Sequence, residues 1–231
     1  MDSFHNLSAE ETLKKLNTTE DGLSSQEVAL RLKKFGPNRL PVAKRLPISH
    51  LFFHQFTGLL IYILLASVAI SFFLGHIKDA IFIIFVIFIN AALGFFQEYK
   101  AERTLAFLKK VVEISAKTFR DGRKIEITAS ELVPGDIIFV DAGDKVPADA
   151  RLIETLGLEV NEASLTGESF AVIKDHTLTL PDDTPLTGRK NMIFTGVLIE
   201  KGKAKAVVVA TGTYTEIGKI TKLIKEIEEP A

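Results

Sequence analysis

Two uninterrupted apolar runs, Gly58 to Leu74 and Ala80 to Phe96, stand in a chain whose flanks mix polar and apolar positions much more finely. Between Arg45 and Glu98 the only formally charged residues are Lys78 and Asp79, and they divide the runs. Each run is 17 residues, the short end of the range for a spanning helix, and each can borrow apolar neighbours such as Phe56 or Ile77. The pattern predicts two transmembrane helices. With only Gly75 to Asp79 between them they form a tight antiparallel hairpin, which leaves both flanking portions on one side of the bilayer. Lys44 and Arg45 precede the first run, Lys100, Arg103, Lys109 and Lys110 follow the second, and the turn holds only Lys78. The excess of cationic residues on the flanks predicts that both termini are cytoplasmic. The first fifty residues contain no apolar signal-peptide core. Asn90 is the one strongly polar side chain well inside a run; beside Ala91, Ala92 and Gly94 its amide is expected to support close helix packing rather than an ion path.

The flanks have other periods. Ser8-Ala9-Glu10-Glu11 and Ser24-Ser25-Gln26-Glu27 both fit the capping box, in which a serine hydroxyl and a glutamate three residues on satisfy free amides at a helix start. Leu13 and Leu16 then stripe one short helix, and Val28, Leu32 and Phe35 a second, which Gly36-Pro37-Asn38 should stop. After the second run, Gln97 to Val112 keeps a helical pattern and reads as a stalk continuing out of the membrane. From Ile114 onward the period becomes that of strands: Ala116–Arg120 and Arg123–Ile127 flank the hairpin dipeptide Asp121-Gly122. Ile137–Val140, Arg151–Glu154, Gly157–Val160, Met192–Ile199 and Ala204–Ala210 follow between turn signals, which predicts a compact sandwich or distorted jelly roll. A closing helix is expected over Thr215–Glu228, ended by Pro230.

Composition narrows the function classes. A formal net charge of -1 points to no polyanionic partner, so nucleic acid is not expected. The absence of cysteine removes disulfides, thiolate metal sites and cysteine nucleophiles. His50 and His54 stand at helical spacing without a third ligand and read as residues of a membrane entry, so no metal site is expected.

The segment richest in chemistry is Asn161-Glu162-Ala163-Ser164-Leu165-Thr166-Gly167-Glu168-Ser169, a carboxylate beside a glycine and two hydroxyls. Thr-Gly-Glu-Ser taken alone reads as a polar surface turn. Its company is Pro134-Gly135-Asp136 and Asp144-Lys145-Val146-Pro147-Ala148-Asp149 upstream, and Asn191-Met192-Ile193-Phe194-Thr195-Gly196 downstream. In this order the segments resemble the actuator domain of P-type ATPases, ion pumps that pass through an aspartyl-phosphate intermediate. Gly36-Pro37-Asn38-Arg39-Leu40-Pro41 and Gly94-Phe95-Phe96-Gln97-Glu98-Tyr99-Lys100-Ala101-Glu102-Arg103 are similar to the N-terminal segment and second-helix extension of the calcium, sodium/potassium and proton branches. The resemblance implies that Glu168 promotes hydrolysis of the phosphoenzyme, with Thr166, Gly167 and Ser169 shaping the loop. The chemistry suits the role: a carboxylate can orient a water and accept its proton, and glycine lets backbone approach a phosphate. Pro134-Gly135-Asp136 and Asp144 to Asp149 are expected to direct strands rather than react.

Asn161 stands where the family often has aspartate, and Val197 where a threonine commonly follows. The larger departure is that no Asp-Lys-Thr-Gly-Thr motif, P-loop or later membrane helix occurs here. The resemblance therefore implies the amino-terminal portion of a pump, whether a truncated gene, an excised piece or one part of a split enzyme. Such a chain needs no cofactor of its own, while ATP and Mg are implied for the complete pump. The expected class is an α+β membrane protein: a helical part of the actuator over 1–47, transmembrane helix 1 over 48–75, transmembrane helix 2 and stalk over 76–112, a β-rich actuator over 113–214 and a linker helix over 215–231. Expected partners are the lipid bilayer and the remainder of the pump, with the plasma membrane of a prokaryote the expected location. The lack of cysteine-rich modules disfavours a copper or zinc pump, and calcium, sodium, magnesium and protons stay open as cargo. Two other readings also stay open: a membrane-anchored, non-enzymatic regulator that keeps the actuator fold, and a membrane hairpin carrying an unrelated β-rich binding module.

Overall fold

A computed structural model of the chain describes residues 3–40, 47–111, 114–167 and 170–228. It contains two compact units, Met1–Val42 with Glu113–Ala231, and Ala43–Val112. The flanking residues Pro41, Lys44, Arg45, Val112 and Pro230 lie outside the described residues.

The chain enters through two short helices, α1 (Ala9–Lys15) and α2 (Ser25–Phe35). The capping box expected at the first is complete: Glu11 N–H donates to Ser8 Oγ at 3.2 Å and Ser8 N–H to Glu11 Oε2 at 2.8 Å. The second is half-formed. Ser24 Oγ accepts from Glu27 N–H at 3.3 Å, but the Glu27 carboxylate turns away to take Arg31 Nε at 2.7 Å. Gly36, at φ 76°, ends α2 as the sequence predicts.

In the helical unit, α3 (Ile48–His54) and α4 (Leu59–Phe73) meet at a 61° bend, so the stretch expected to be one span over 48–75 consists of two helices. The helix α5 (Ile77–Val111) runs unbroken through 35 residues, joining the second apolar run to the expected stalk. Its stretch Ile77–Thr104 is long and apolar enough to cross a membrane, and α3 with α4 passes the same test only if the bent pair is counted as one. The three helices pack on Leu51, Ile61, Ala80, Ile87 and Ala91, and the last three lie on one side of α5 at helical spacing. Asn90 is exposed, which corrects the packing role expected for it: one residue is about 100° of helix, so Ala91 faces the neighbour and the amide beside it faces away.

The β-rich unit is one seven-stranded antiparallel sheet. Its strands are β1 (Ser115–Arg120), β2 (Arg123–Thr128), β3 (Ile137–Asp141), β4 (Asp149–Asn161), β5 (Ala171–Ile173), β6 (Met192–Ile193) and β7 (Leu198–Ala210). The hydrogen-bonded order is β2-β1-β3-β7-β4-β5, with β6 also on β4. The hairpin at Asp121-Gly122 forms as expected, with both residues at positive φ (50° and 69°). Two expected interruptions do not interrupt. Separate strands were expected over Arg151–Glu154 and Gly157–Val160, and Lys201-Gly202 was expected to divide Ile199 from Ala204, yet β4 and β7 each run through 13 residues. The pairing absorbs these positions as register shifts between Leu156 and Val160, and a Cβ on Gly202 would come within 2.3 Å of the Gly157 carbonyl oxygen. Met192–Ile199 is the opposite case, read as one strand but split into β6 and the start of β7 by the turn at Phe194–Val197.

The core lies on the inner face of this sheet, where Leu152, Leu158, Val160, Ile193, Phe194, Ile199 and Val208 are at most 1% exposed. Each such side chain contributes roughly 1.5–3 kcal/mol on leaving water. The chain closes with α7 (Glu216–Glu228), starting one residue later than expected.

Candidate functional site

The Thr-Gly-Glu-Ser segment lies in the connection between β4 and β5. These strands pair as a hairpin, with Asn161 opposite Ala171, and the intervening residues form its tip. After Asn161 the backbone turns into a single helical turn, α6 (Ala163–Thr166). The Asn161 side chain starts the turn by accepting from Ala163 N–H at 3.0 Å while donating to Glu200 Oε1 at 2.8 Å. An asparagine therefore serves locally where the family often has aspartate, because one amide can both accept and donate. Gly167 closes the turn in the left-handed conformation, φ 77°, with its N–H on Ala163 O at 2.9 Å. It is exposed, and no heavy atom would lie within 4 Å of a Cβ placed on it. Thr166 is the last residue of α6; Glu168 and Ser169 lie outside the described residues. Phe170, just beyond, is 77% exposed.

Beneath this tip is an ion pair that the sequence reading did not single out. Leu158, Val160 and Glu162 alternate onto the buried face of the hairpin, and Lys174 arrives on the same face from the other strand. Lys174 Nζ lies 2.5 Å from Glu162 Oε1, with the side chains 0% and 4% exposed. Burial pushes the lysine pKa down, and the adjacent Glu162 carboxylate opposes that shift.

The other motif segments hold the frame. Asp136 is fully buried and accepts from Arg120 Nε at 2.9 Å, Arg120 Nη2 at 2.6 Å and Val133 N–H at 2.9 Å. The turn before it is clamped by Arg31, which donates to Pro134 O at 2.8 Å and stands where a Cβ on Gly135 would be, 2.1 Å from its Nη1. Asp149 joins two segments distant in sequence, accepting from Thr195 N–H at 2.8 Å, Thr195 Oγ1 at 2.9 Å and Glu216 N–H at 2.7 Å. The last bond anchors the start of α7. Burial raises the Asp149 pKa against those donors.

Arg151 was also missed by the sequence reading, which placed it in an ordinary strand. It is 1% exposed and donates to the carbonyls of Leu7, Leu152, His176, Leu178 and Asn191 at 2.8–3.2 Å. Burial brings its pKa down to about 10, which leaves it charged at neutral pH. One signal was present: Asn191, also buried, donates to His5 O and Leu178 O, and its motif marks the segment that Arg151 binds.

The buried carboxylates Asp136, Asp149 and Glu162 are engaged by arginine, backbone amides and lysine respectively. Among the described residues no three His, Asp or Glu side chains stand together as metal ligands.

Residues 110–225 match the family model described as P-type ATPase actuator domain, and residues 4–71 match that described as cation transporter/ATPase, N-terminus. The chain belongs to the P-type cation-transporting ATPases and carries their N-terminal and actuator regions. It is 44% identical over 227 residues to the probable cation-transporting ATPase F of Mycobacterium tuberculosis, covering 98% of this chain and 25% of that protein. A calcium-transporting ATPase of Bacillus subtilis is 40% identical over 223 residues, 96% of this chain and 25% of that protein. A sodium/potassium exporting P-type ATPase of Saccharomyces cerevisiae is 37% identical over 226 residues, 96% and 21% respectively. The chain thus spans about a quarter of the length of the curated relatives it matches.

Proposed function

We propose that this chain is the membrane hairpin and actuator of a cation pump, and that Glu168 promotes hydrolysis of an aspartyl phosphate held by the remainder of that pump. In the reaction a water oxygen attacks phosphorus, the bond from phosphorus to the aspartyl oxygen breaks, and Glu168 orients the water and accepts its proton. Gly167 carries the reading. It is exposed and left-handed at the end of α6, with no heavy atom within 4 Å of a Cβ placed on it, which suits a backbone that is approached by a phosphate. Thr166 and Ser169 shape the loop.

The exposed apolar side chains of α4 and α5 support two spans in a bilayer, and the cationic residues flanking the apolar runs support cytoplasmic termini; the β-rich unit is a distorted jelly roll in this reading, and the bacterial relatives favour a prokaryotic plasma membrane. ATP and Mg2+ belong to the complete pump. The relatives' names differ in ion, so the cargo is a cation without further assignment.

The test is a pump completed with the downstream three quarters of the Bacillus subtilis relative. Glu168→Ala is expected to slow loss of the phosphoenzyme by about 10²- to 10⁴-fold while leaving its formation from ATP intact. Loss at the parental rate would remove Glu168 from the reaction and leave the non-enzymatic regulator as the better reading.

A further inference from the structure

Among the described residues the approach to Glu168 is made by the single turn α6, the Asn161 cap and an open Gly167, and Phe170 beyond it is largely in solvent. Immediately below, a charged pair is almost completely removed from water. Burying two charges costs several kcal/mol per ion before their attraction is counted, and an apolar pair of the same volume is often equally or more stable. A buried ion pair is therefore weak support for stability and is better suited to specifying one geometry.

The geometry here is specific. Glu162 is the residue from which α6 departs, and its carbonyl receives Leu165 N–H at 2.8 Å. Lys174 is fixed by its backbone, whose N–H donates to Leu158 O at 3.0 Å and so continues the hairpin ladder. Its Nζ also reaches Arg189 O at 3.3 Å and lies 5.7 Å from the centre of the Phe194 ring. One ammonium thus joins the foot of the loop to the segment Arg189–Phe194, which lies more than 25 residues further along the chain.

We propose that Glu162 and Lys174 are positioning residues for the Thr166–Ser169 loop, the ion pair fixing the direction in which α6 and Gly167 leave the sheet. The catalytic part of this inference rests on the role proposed for Glu168; the positioning part does not. Neither side chain touches the reacting phosphate. Their effect passes through the backbone of Glu162, and an error of an ångström at a reacting group is enough to cost about 10²-fold.

The decisive variant is Glu162→Met/Lys174→Met, which removes both charges at nearly constant volume and leaves no lone buried ion. In the full chain in detergent, its urea midpoint is expected to match the parent. Amide hydrogen exchange in peptides spanning Ala163–Phe170 is expected to be about tenfold faster, with β3 and β7 keeping parental protection. In the completed pump, phosphoenzyme decay should slow by about 10- to 100-fold with formation unchanged. The single variant Lys174→Met removes the cation beside the buried Glu162 carboxylate and should show the same loop exchange with lower stability; if it fails to fold, the double variant still decides. Parental loop exchange in the double variant overturns the positioning role and leaves the pair as filling for the core. Fast loop exchange with parental decay, in a pump where Glu168→Ala does slow decay, overturns its catalytic relevance. If Glu168→Ala decays at the parental rate, the role of Glu168 fails and the catalytic part falls with it, while loop exchange still decides the positioning part.

Discussion

The two units of this molecule invert each other's chemistry. In the β-rich unit Arg151, Asp136, Asp149, Glu162 and Lys174 are all at most 3% exposed, and each has named partners. In the helical unit the two apolar runs instead leave large side chains such as Leu60, Ile63, Phe72, Phe82, Phe85, Phe88 and Ile89 exposed, with Asn90 a polar residue among them. Water explains the first arrangement: a surrounding polar solvent rewards an apolar interior, and a polar group enters only if its hydrogen bonds are replaced inside. The second suits a medium that rewards apolar surface, in which helices gain by close packing at small residues such as Ala80 and Ala91. Polar residues are therefore informative inside one unit, and apolar residues on the outside of the other.

The comparison is broken most severely at Arg151. Arg151→Met should remove the guanidinium from five carbonyls, of which Leu178 O keeps the Asn191 amide and Asn191 O keeps Leu152 N–H, and cost about 3 kcal/mol, since each unsatisfied group costs about 1–3 kcal/mol. Urea unfolding of the full chain, followed by near-ultraviolet circular dichroism, measures it. A loss under about 0.5 kcal/mol, the range of ordinary surface changes, would mean that the five carbonyls find other partners.

The same lysine substitution in the two units sharpens the contrast further. Phe88, 62% exposed in α5, and Leu156, 65% exposed in β4, have nearly equal accessibility. Phe88→Lys is expected to raise the free energy of membrane insertion by about 2.5–3.5 kcal/mol, whereas Leu156→Lys should change stability by no more than about 0.5 kcal/mol. A cysteine introduced at His76, in the turn between the apolar runs, serves as reporter. It should be labelled only from outside in the parent, and much less so in Phe88→Lys. Equal, small effects at both positions would defeat the reading of α5 as a span.

Acid titration should show the smallest effect. The exposed Asp121 carboxylate has its pKa lowered by the side-chain and backbone donors of Ser25. The folded chain then holds this proton less tightly than the unfolded one. Its stabilisation is present above the ordinary aspartate value, about 3.9, and is lost as pH falls through the lower folded value. Asp149 has the opposite sign: burial raises its pKa, so its penalty on folding is present above the folded value and fades as pH falls. Asp121→Asn should therefore lower stability near neutrality and flatten its decline in acid. An acid profile that keeps the parental slope would assign that decline to other carboxylates.

Much of this was legible because it depends on neighbours in sequence. The Ser8–Glu11 box, the Gly36 stop and the Asp121-Gly122 hairpin each need only a few consecutive residues, and each forms as expected. Where another partner intervened, the reading failed. Glu27 was diverted from its box by Arg31 one helical turn on, and Gly202, read as a break, lets two long strands approach at Gly157. Asn90 sat in the right company, yet a rotation of one residue turned it outward. At the candidate site, the identity of the loop and the left-handed need at Gly167 could be read from the motif, whereas nothing near Lys174 announces a buried partner twelve residues earlier.

By itself the sequence determined the apolar runs, the caps and hairpin turns, and the family to which its motifs belong. These follow from side-chain periodicity and local backbone preference, which act over a turn or two of chain. Only the tertiary structure decided that Arg151 holds five carbonyls, that Asp149 joins Thr195 to Glu216, and that a buried ion pair lies under the Thr-Gly-Glu-Ser loop. The physical reason is the same in all three. A charged side chain reads as surface until the fold provides the specific donors and acceptors that replace water, and those partners come from strands that are neighbours only after folding.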